Sequence, residues 1–231
     1  MPKPPPPRIR AFCDRLPEAA EVTPHVEVLS GSPVAEIVTL ARDERPDLIV
    51  LGLHRDRGLW DTIRETTMER IVRISPRPVL LVTDAVDHDY TRALAAVDTS
   101  KACTAALLAA ARLVDLKTID SFYAYHVPFR GLLPGSDRTA FAKPYLAEAA
   151  RDLDLWLKAT PTLADLPRPR IVNAIVAEAV AQAIARHTPQ LFIAGAHGSA
   201  SSARFRLGSL TADLVRDPPC DLLVARTLTA D

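Results

Sequence analysis

Glycine is scarce in this chain, with eight residues in 231. Aromatic residues make up only 5%. The three cysteines, Cys13, Cys103 and Cys220, are odd in number and far apart. They fit reduced thiols in a cytosolic protein better than a disulfide framework or a zinc site. No charge of either sign is in excess: Lys plus Arg and Asp plus Glu are both 28, for a net charge of zero. That argues against a nucleic-acid binder working by bulk electrostatics. No apolar run approaches the ~18 residues that would predict a membrane span. The head, Met1 to Arg8, is mostly proline and lacks the apolar segment of a signal peptide. It predicts an extended, solvated stretch. The hydrophobic content of 48% is enough for a sizeable core, in one large or two small domains.

Because glycine is rare, its placement is informative. Three of the eight fall in one stretch: Gly195, Gly198 and, after nine residues, Gly208, followed by Ser209. The stretch follows the apolar run Leu191 to Ala194 and precedes a helix-like segment from Leu210 to Arg216. Strand, glycine loop and helix N-terminus is the layout of a phosphate cradle, with backbone N–H groups aimed at an anion.

The chain also repeats itself. Val34-Ala35-Glu36 opens a segment that ends in Leu48 to Gly52, and Val176-Ala177-Glu178 opens one that ends in Leu191 to Gly195. A histidine follows each glycine by two residues (His54, His197), and a hydroxyl residue by fourteen (Thr66, Ser209). A proline (Pro76, Pro219) and an apolar strand then follow in both. Offsets that agree over this length indicate an internal duplication.

The periodicity predicts strands at 26–29, 48–51, 79–82, 93–97, 119–125, 170–173, 191–194 and 222–225. Helices are expected at 33–44, 66–74, 101–114, 139–159, 176–186 and 210–216. Alternating strands and helices predict an α/β fold with a doubly wound parallel sheet, Rossmann-like and in tandem, the first copy truncated. The expected units are a Pro-rich head with a short helix (1–25), a partial, degenerate domain (26–83), a linker (84–90) and a complete domain (91–231). The segment from Ala93 to Tyr125 has no counterpart before residue 26. The strand at Val26 would then have to pair with the one at Leu48, or the sheet would have to be rearranged.

Gly195, Gly198, Gly208 and Ser209 match the full nucleotide signature of the universal stress protein family, which the chain resembles in its tandem form. Val97-Asp98 and the run Pro219 to Val224 are similar to the family too. The resemblance implies a five-stranded nucleotide-binding fold and ATP, with or without Mg2+, as the ligand of the second copy. Asp98 would accept from the ribose or adenine edge, and Ala96 and Val97 would line the base. Gly195, His197 and Gly198 would let the backbone pass close to ribose and phosphates. Gly208, Ser209 and Leu210 would cradle the phosphates, with Arg204 and Arg206 adding charge. It also implies pairing of the two last strands, Val79 to Val82 with Leu222 to Ala225, and a homodimer. In the first copy Arg55 and Glu65 replace two glycines, so no nucleotide is expected there.

Other readings compete with these. Asp98 could instead cap the helix at Lys101, a role open equally to Thr99 and Ser100. Cys103 and Cys220 read as buried and inert, and Trp60 as a packing residue. No lysine follows the glycines as in a P-loop, and neither His54 nor His197 has a nucleophile beside it in sequence. At most, slow ATP hydrolysis is expected. The function implied is a cytosolic, nucleotide-dependent sensor or regulator in stress response. A nucleotide-free scaffold on the same fold is the alternative, and an adenylating enzyme is a third reading without acid–base residues to support it.

Overall fold

The computed structural model describes residues 25–53, 66–83, 89–128, 135–197 and 207–227. Four elements of the first copy alternate as expected: helix α1 (Pro33–Asp43), strand β1 (Ile49–Gly52), helix α2 (Thr67–Ile74) and strand β2 (Val79–Val82). The second copy contains β3 (Ala93–Val97), α3 (Lys101–Ala110), β4 (Ile119–Tyr125), α4 (Gly135–Ala159) and β5 (Arg170–Asn173). It continues with α5 (Val176–His187), β6 (Leu191–Gly195), α6 (Ser209–Arg216) and β7 (Asp221–Ala225).

All seven strands form one sheet in the order β1-β2-β7-β6-β3-β4-β5. Five neighbouring pairs are parallel, and one, β2 with β7, is antiparallel. That junction is the pairing of the two last strands expected from the sequence, with Leu80 opposite Leu223. The copies are therefore related by an approximate two-fold axis through this pair. Every residue of β6 and β7 is buried, as their unbroken apolar runs require for central strands covered on both faces.

Two apolar layers sandwich the sheet. On one face α1, α2, α5 and α6 pack through Val34, Ile71, Val72, Val180, Leu214 and Val215 against Leu81, Phe192 and Leu222. On the other, α3 and α4 pack through Ala106, Leu107, Leu153 and Trp156 against Leu80, Ala95, Ile193 and Leu223. Fully burying a side chain of the size of Phe192 or Leu153 stabilises the fold by roughly 1.5–3 kcal/mol. Trp156 satisfies its ring N–H by donating to the Thr104 hydroxyl at 3.0 Å.

The structure corrects one element. Residues 25–30 form no strand, although Val26 and Val28 are half-buried between exposed neighbours. The equivalent strand of the second copy, β5, pairs only with β4. Among the described residues the first copy has no counterpart of β4, so the backbone near Val26 has no ladder to join. Nor does it pair with β1, whose single partner among these residues is β2. The sheet ends at β1, where Val50 is 57% exposed.

Candidate functional site

The strand order locates the crevice. From β3 the chain moves outward to β4 and β5, then returns to β6 on the other side of β3. The carboxyl ends of β3 and β6 thus flank the point where strand order reverses, the usual ligand position in open α/β sheets. Asp98 follows β3, and Gly195 ends β6 with Ala196 and His197 directly after it.

Asp98 is not a helix cap. Ser100 is, its hydroxyl accepting from the Cys103 N–H at 3.0 Å. Asp98 Oδ1 accepts the Ser100 N–H at 2.9 Å. Between them Thr99 takes a left-handed conformation, φ +59°, a strained geometry for a β-branched residue that fixes the exit from β3. Burial pushes the Asp98 carboxyl above its ordinary range, while bonds from Ser100 and the nearby His197 act to lower it. Ala96 is half-buried. The Val97 side chain is buried in the α3 face of the core.

The loop after β6 is anchored by its own backbone. Ala196 N–H donates to the Ala225 carbonyl at 2.8 Å, and Gly208 N–H returns to the Ala196 carbonyl at 2.9 Å. The buried Thr211 hydroxyl donates to the Gly195 carbonyl at 2.9 Å, clamping α6 onto the end of β6. The two described glycines differ in role. A Cβ on Gly195 would lie 2.8 Å from the Cys103 backbone nitrogen, so glycine is required there for α3 to pack on β6. A Cβ on Gly208 would meet nothing nearer than His197 Cα at 3.7 Å. Its φ of −60° is open to any residue, so neither packing nor backbone conformation demands glycine at 208.

Gly208 is the N-cap of α6, and no side chain among the described residues caps this helix. Ser209 is exposed and Leu210 half-buried. The matching helix of the first copy, α2, is closed instead by a capping box. Glu69 N–H donates to the Thr66 hydroxyl at 3.1 Å, and Thr66 N–H donates to Glu69 Oε2 at 2.6 Å. The first copy therefore supplies its own acceptors, whereas among the described residues no side chain of the second takes its first-turn amides or the positive end of the helix dipole.

His197 sits between the two halves of the site. Burial and the neighbouring Arg226 push its pKa below the ordinary value, against the opposing pull of Asp98. Gly198, Arg204 and Arg206 lie outside the described residues, as do His54, Arg55, Trp60 and Glu65. Sequence reasoning missed Ser100 as the specific cap, the Thr211 clamp and Arg226. Ser100 stood in the sequence as one of three equal cap candidates, and nothing there singled out Thr211 or Arg226. Among the described residues, no group of three or more His, Cys, Asp or Glu side chains could hold a metal ion. Both described cysteines fit their inert reading: burial raises the thiol of Cys103 and pushes that of Cys220 up to about 12.

A two-copy α/β sheet with this crevice defines a class, and comparison with known proteins names it. The sequence profile of the universal stress protein family matches residues 10–83 and 89–226. The chain belongs to that family. A universal stress protein of Methanocaldococcus jannaschii, MJ0531, is 38% identical over 58 residues, 25% of this chain and 34% of that protein. A second from the same organism, MJ0577, is 34% identical over 55 residues, 24% of this chain and 34% of that protein. The matched stretch thus spans about a third of either relative. Among solved structures, the protein PA1789 of Pseudomonas aeruginosa, described as functionally unknown, superposes with a TM-score of 0.65. It is 15% identical, with coverage of 96% of this chain and 77% of that one. A universal stress protein of Archaeoglobus fulgidus gives 0.56 at 21% identity, covering 87% and 68%. At these identities the structures establish the fold alone. No helix among the described residues is long and apolar enough to cross a membrane.

Proposed function

We propose that this stress-response protein binds one adenine nucleotide, ATP, in its second copy and none in its first. The observation that carries the reading is the contrast between two equivalent helix N-termini. That of α2 is closed by Thr66 and Glu69. That of α6, beside Asp98 and His197 at the point where strand order reverses, has no side-chain cap among the described residues. In this reading the Asp98 carboxylate accepts from the ribose or the adenine edge. Gly208, Ser209 and Leu210 present backbone N–H groups to the phosphates, with the exposed Ser209 hydroxyl as a further donor. Gly195 serves by letting α3 seat against β6, and Gly198 belongs to the same loop. ATP brings its own phosphoanhydride and any Mg2+ it carries, and this chain's residues bind and orient it.

A cytosolic nucleotide sensor follows if ATP favours one conformation or one assembly, a homodimer included, over another. Calorimetry of the full chain with ATP, ADP and AMP tests the proposal. Saturable one-to-one binding is expected. Heats indistinguishable from dilution for all three nucleotides at high protein concentration would leave the nucleotide-free scaffold as the function.

A further inference from the structure

Helices α3 and α4 lie side by side on one face of the second copy and leave an open groove of about 520 Å³ between them. That volume is within the range of small-molecule sites. Both helices connect parallel strands, α3 joining β3 to β4 and α4 joining β4 to β5. They therefore run in the same direction. One contact sets their register: the Trp156 ring N–H donates to the Thr104 hydroxyl at 3.0 Å. One turn nearer the start of each helix are Lys101 and Asp152, which line the groove from opposite walls. Towards the other end the α4 wall is apolar, with Leu155, 57% exposed, and Ala159.

The groove thus has a cation and an anion at one end and an apolar run along the rest. The two charges do not neutralise each other, since among the described residues Lys101 forms no ion pair. It stands at the first position of α3, where the helix dipole favours an anion. Asp152 pairs with Arg151, its neighbour in sequence, at 3.7 Å between side chains 43% and 66% exposed. So long and solvated a contact is weak, and a carboxylate has further acceptor sites. The other polar groups of the walls are committed within the protein. Thr104 donates to the Ser100 carbonyl at 3.2 Å, and Thr160 donates to the Trp156 carbonyl at 2.7 Å. Recognition therefore falls to the two charges. Thr99, in its left-handed conformation, also lines the groove. Strained residues of this kind cluster at ligand sites.

We propose that the α3–α4 groove binds a free α-amino acid with a large apolar side chain. The ligand's carboxylate pairs with Lys101 and its ammonium with Asp152. Its side chain lies along Leu155 and Ala159. An amine alone would meet the Lys101 charge unpaired, and a carboxylate alone would meet that of Asp152. A zwitterion satisfies both with charge-assisted bonds. This goes beyond the nucleotide reading and stands without it.

The test is calorimetry of the full chain without nucleotide, titrated with L-phenylalanine to about 10 mM, a range suited to so small a ligand. Saturable one-to-one binding is expected, and none for glycine, which lacks the apolar body. 3-Phenylpropanoate, without the ammonium, and phenethylamine, without the carboxylate, should each bind about tenfold or more weakly. Lys101→Gln should lose about tenfold for L-phenylalanine yet bind phenethylamine no more weakly than the parent. Asp152→Asn should show the mirror pattern, weakened for L-phenylalanine and not for 3-phenylpropanoate. Lys101 is exposed and Asp152 partly so, and both variants should melt with the parent, which separates loss of ligand from loss of fold. Heats of dilution alone for L-phenylalanine, or parent-like binding of it by either charge variant, would overturn the proposal. Because ATP is absent throughout, neither result touches the nucleotide reading.

Discussion

The two described glycines of the signature can be separated by a single methyl group each. At Gly195 an added Cβ would sit 2.8 Å from the Cys103 nitrogen and 3.2 Å from the Ala102 carbonyl carbon. Both are backbone atoms in the first turn of α3, so no side chain can rotate away and the helix must move as a body. Overpacking of this kind costs about 1–3 kcal/mol. In a chain of this size that corresponds to a fall in melting temperature of roughly 2–12 °C. At Gly208 the added Cβ meets nothing closer than 3.7 Å. Alanine is a poorer N-cap than glycine, but it also restricts the unfolded chain, and these effects offset to within about 0.5 kcal/mol. The methyl group would instead stand at the open N-terminus of α6. Gly195→Ala should therefore be measurably destabilised in urea, and Gly208→Ala should melt with the parent yet bind ATP about tenfold or more weakly. Equal stability of Gly195→Ala and the parent would refute the packing argument. Parent-like ATP binding by Gly208→Ala would remove α6 as the cradle.

Three further outcomes are expected. Glu69→Ala removes a side chain 4% exposed that both closes the capping box and pairs with Arg216, itself 41% exposed. Urea denaturation should show a loss of about 2–4 kcal/mol, discounted for the solvent around Arg216. Asp98→Asn should weaken nucleotide binding and, without ligand, become more stable relative to the parent as pH rises. The Asp98 carboxyl is raised above 3.8 in the fold, so its contribution is fully present below that value and is lost as pH rises through the folded pKa. Paired melts at pH 4 and pH 7 check this. In a Cys13→Ser background, Cys103 and Cys220 should react with a thiol reagent at pH 8 only after denaturation, because burial raises both thiols.

Much of the fold could be read from the chain because its strands are unbroken apolar runs. Leu191 to Ala194 and Leu222 to Ala225 read as strands buried on both faces, and they are. The pairing of the two last strands followed from the family resemblance, and its antiparallel sense came from the structure. The strand near Val26 did not form, because strand character is a property of a pair and the neighbour that would complete it is missing among the described residues. At the site, Asp98 and the glycine signature were legible as motif, and the fold sets Asp98, Gly195 and His197 at the strand-order reversal. The reason for Gly195 was not legible, since it depends on which helix crosses β6. The approach of Arg226 to His197 gave no signal either. The two copies pair head to tail, with Val79 at the amino end of β2 opposite Val224 near the carboxyl end of β7.

That head-to-tail arrangement also explains how one duplicated unit can hold one open site. The two ligand ends are at opposite edges of the same antiparallel junction, so each copy can modify the other's. The first copy has gained a capping box at Thr66 and Glu69 and faces the Asp221 carboxylate. The second has Gly208 at the N-cap and, at the third helical position, Thr211, whose hydroxyl is committed to the Gly195 carbonyl. A Cβ at Gly208 has room, its nearest neighbour lying at 3.7 Å. Gly208→Asp would place a carboxylate at the N-cap, where it accepts from the first-turn amides as the Thr66 hydroxyl does in the first copy. Asp caps a helix better than glycine by roughly a few tenths of a kcal/mol, and its charge stands where a phosphate would. The free variant should therefore melt at or above the parent while its ATP affinity falls about tenfold or more. If Gly208→Asp folds and binds ATP as the parent does, the open N-terminus of α6 is not what distinguishes the two copies.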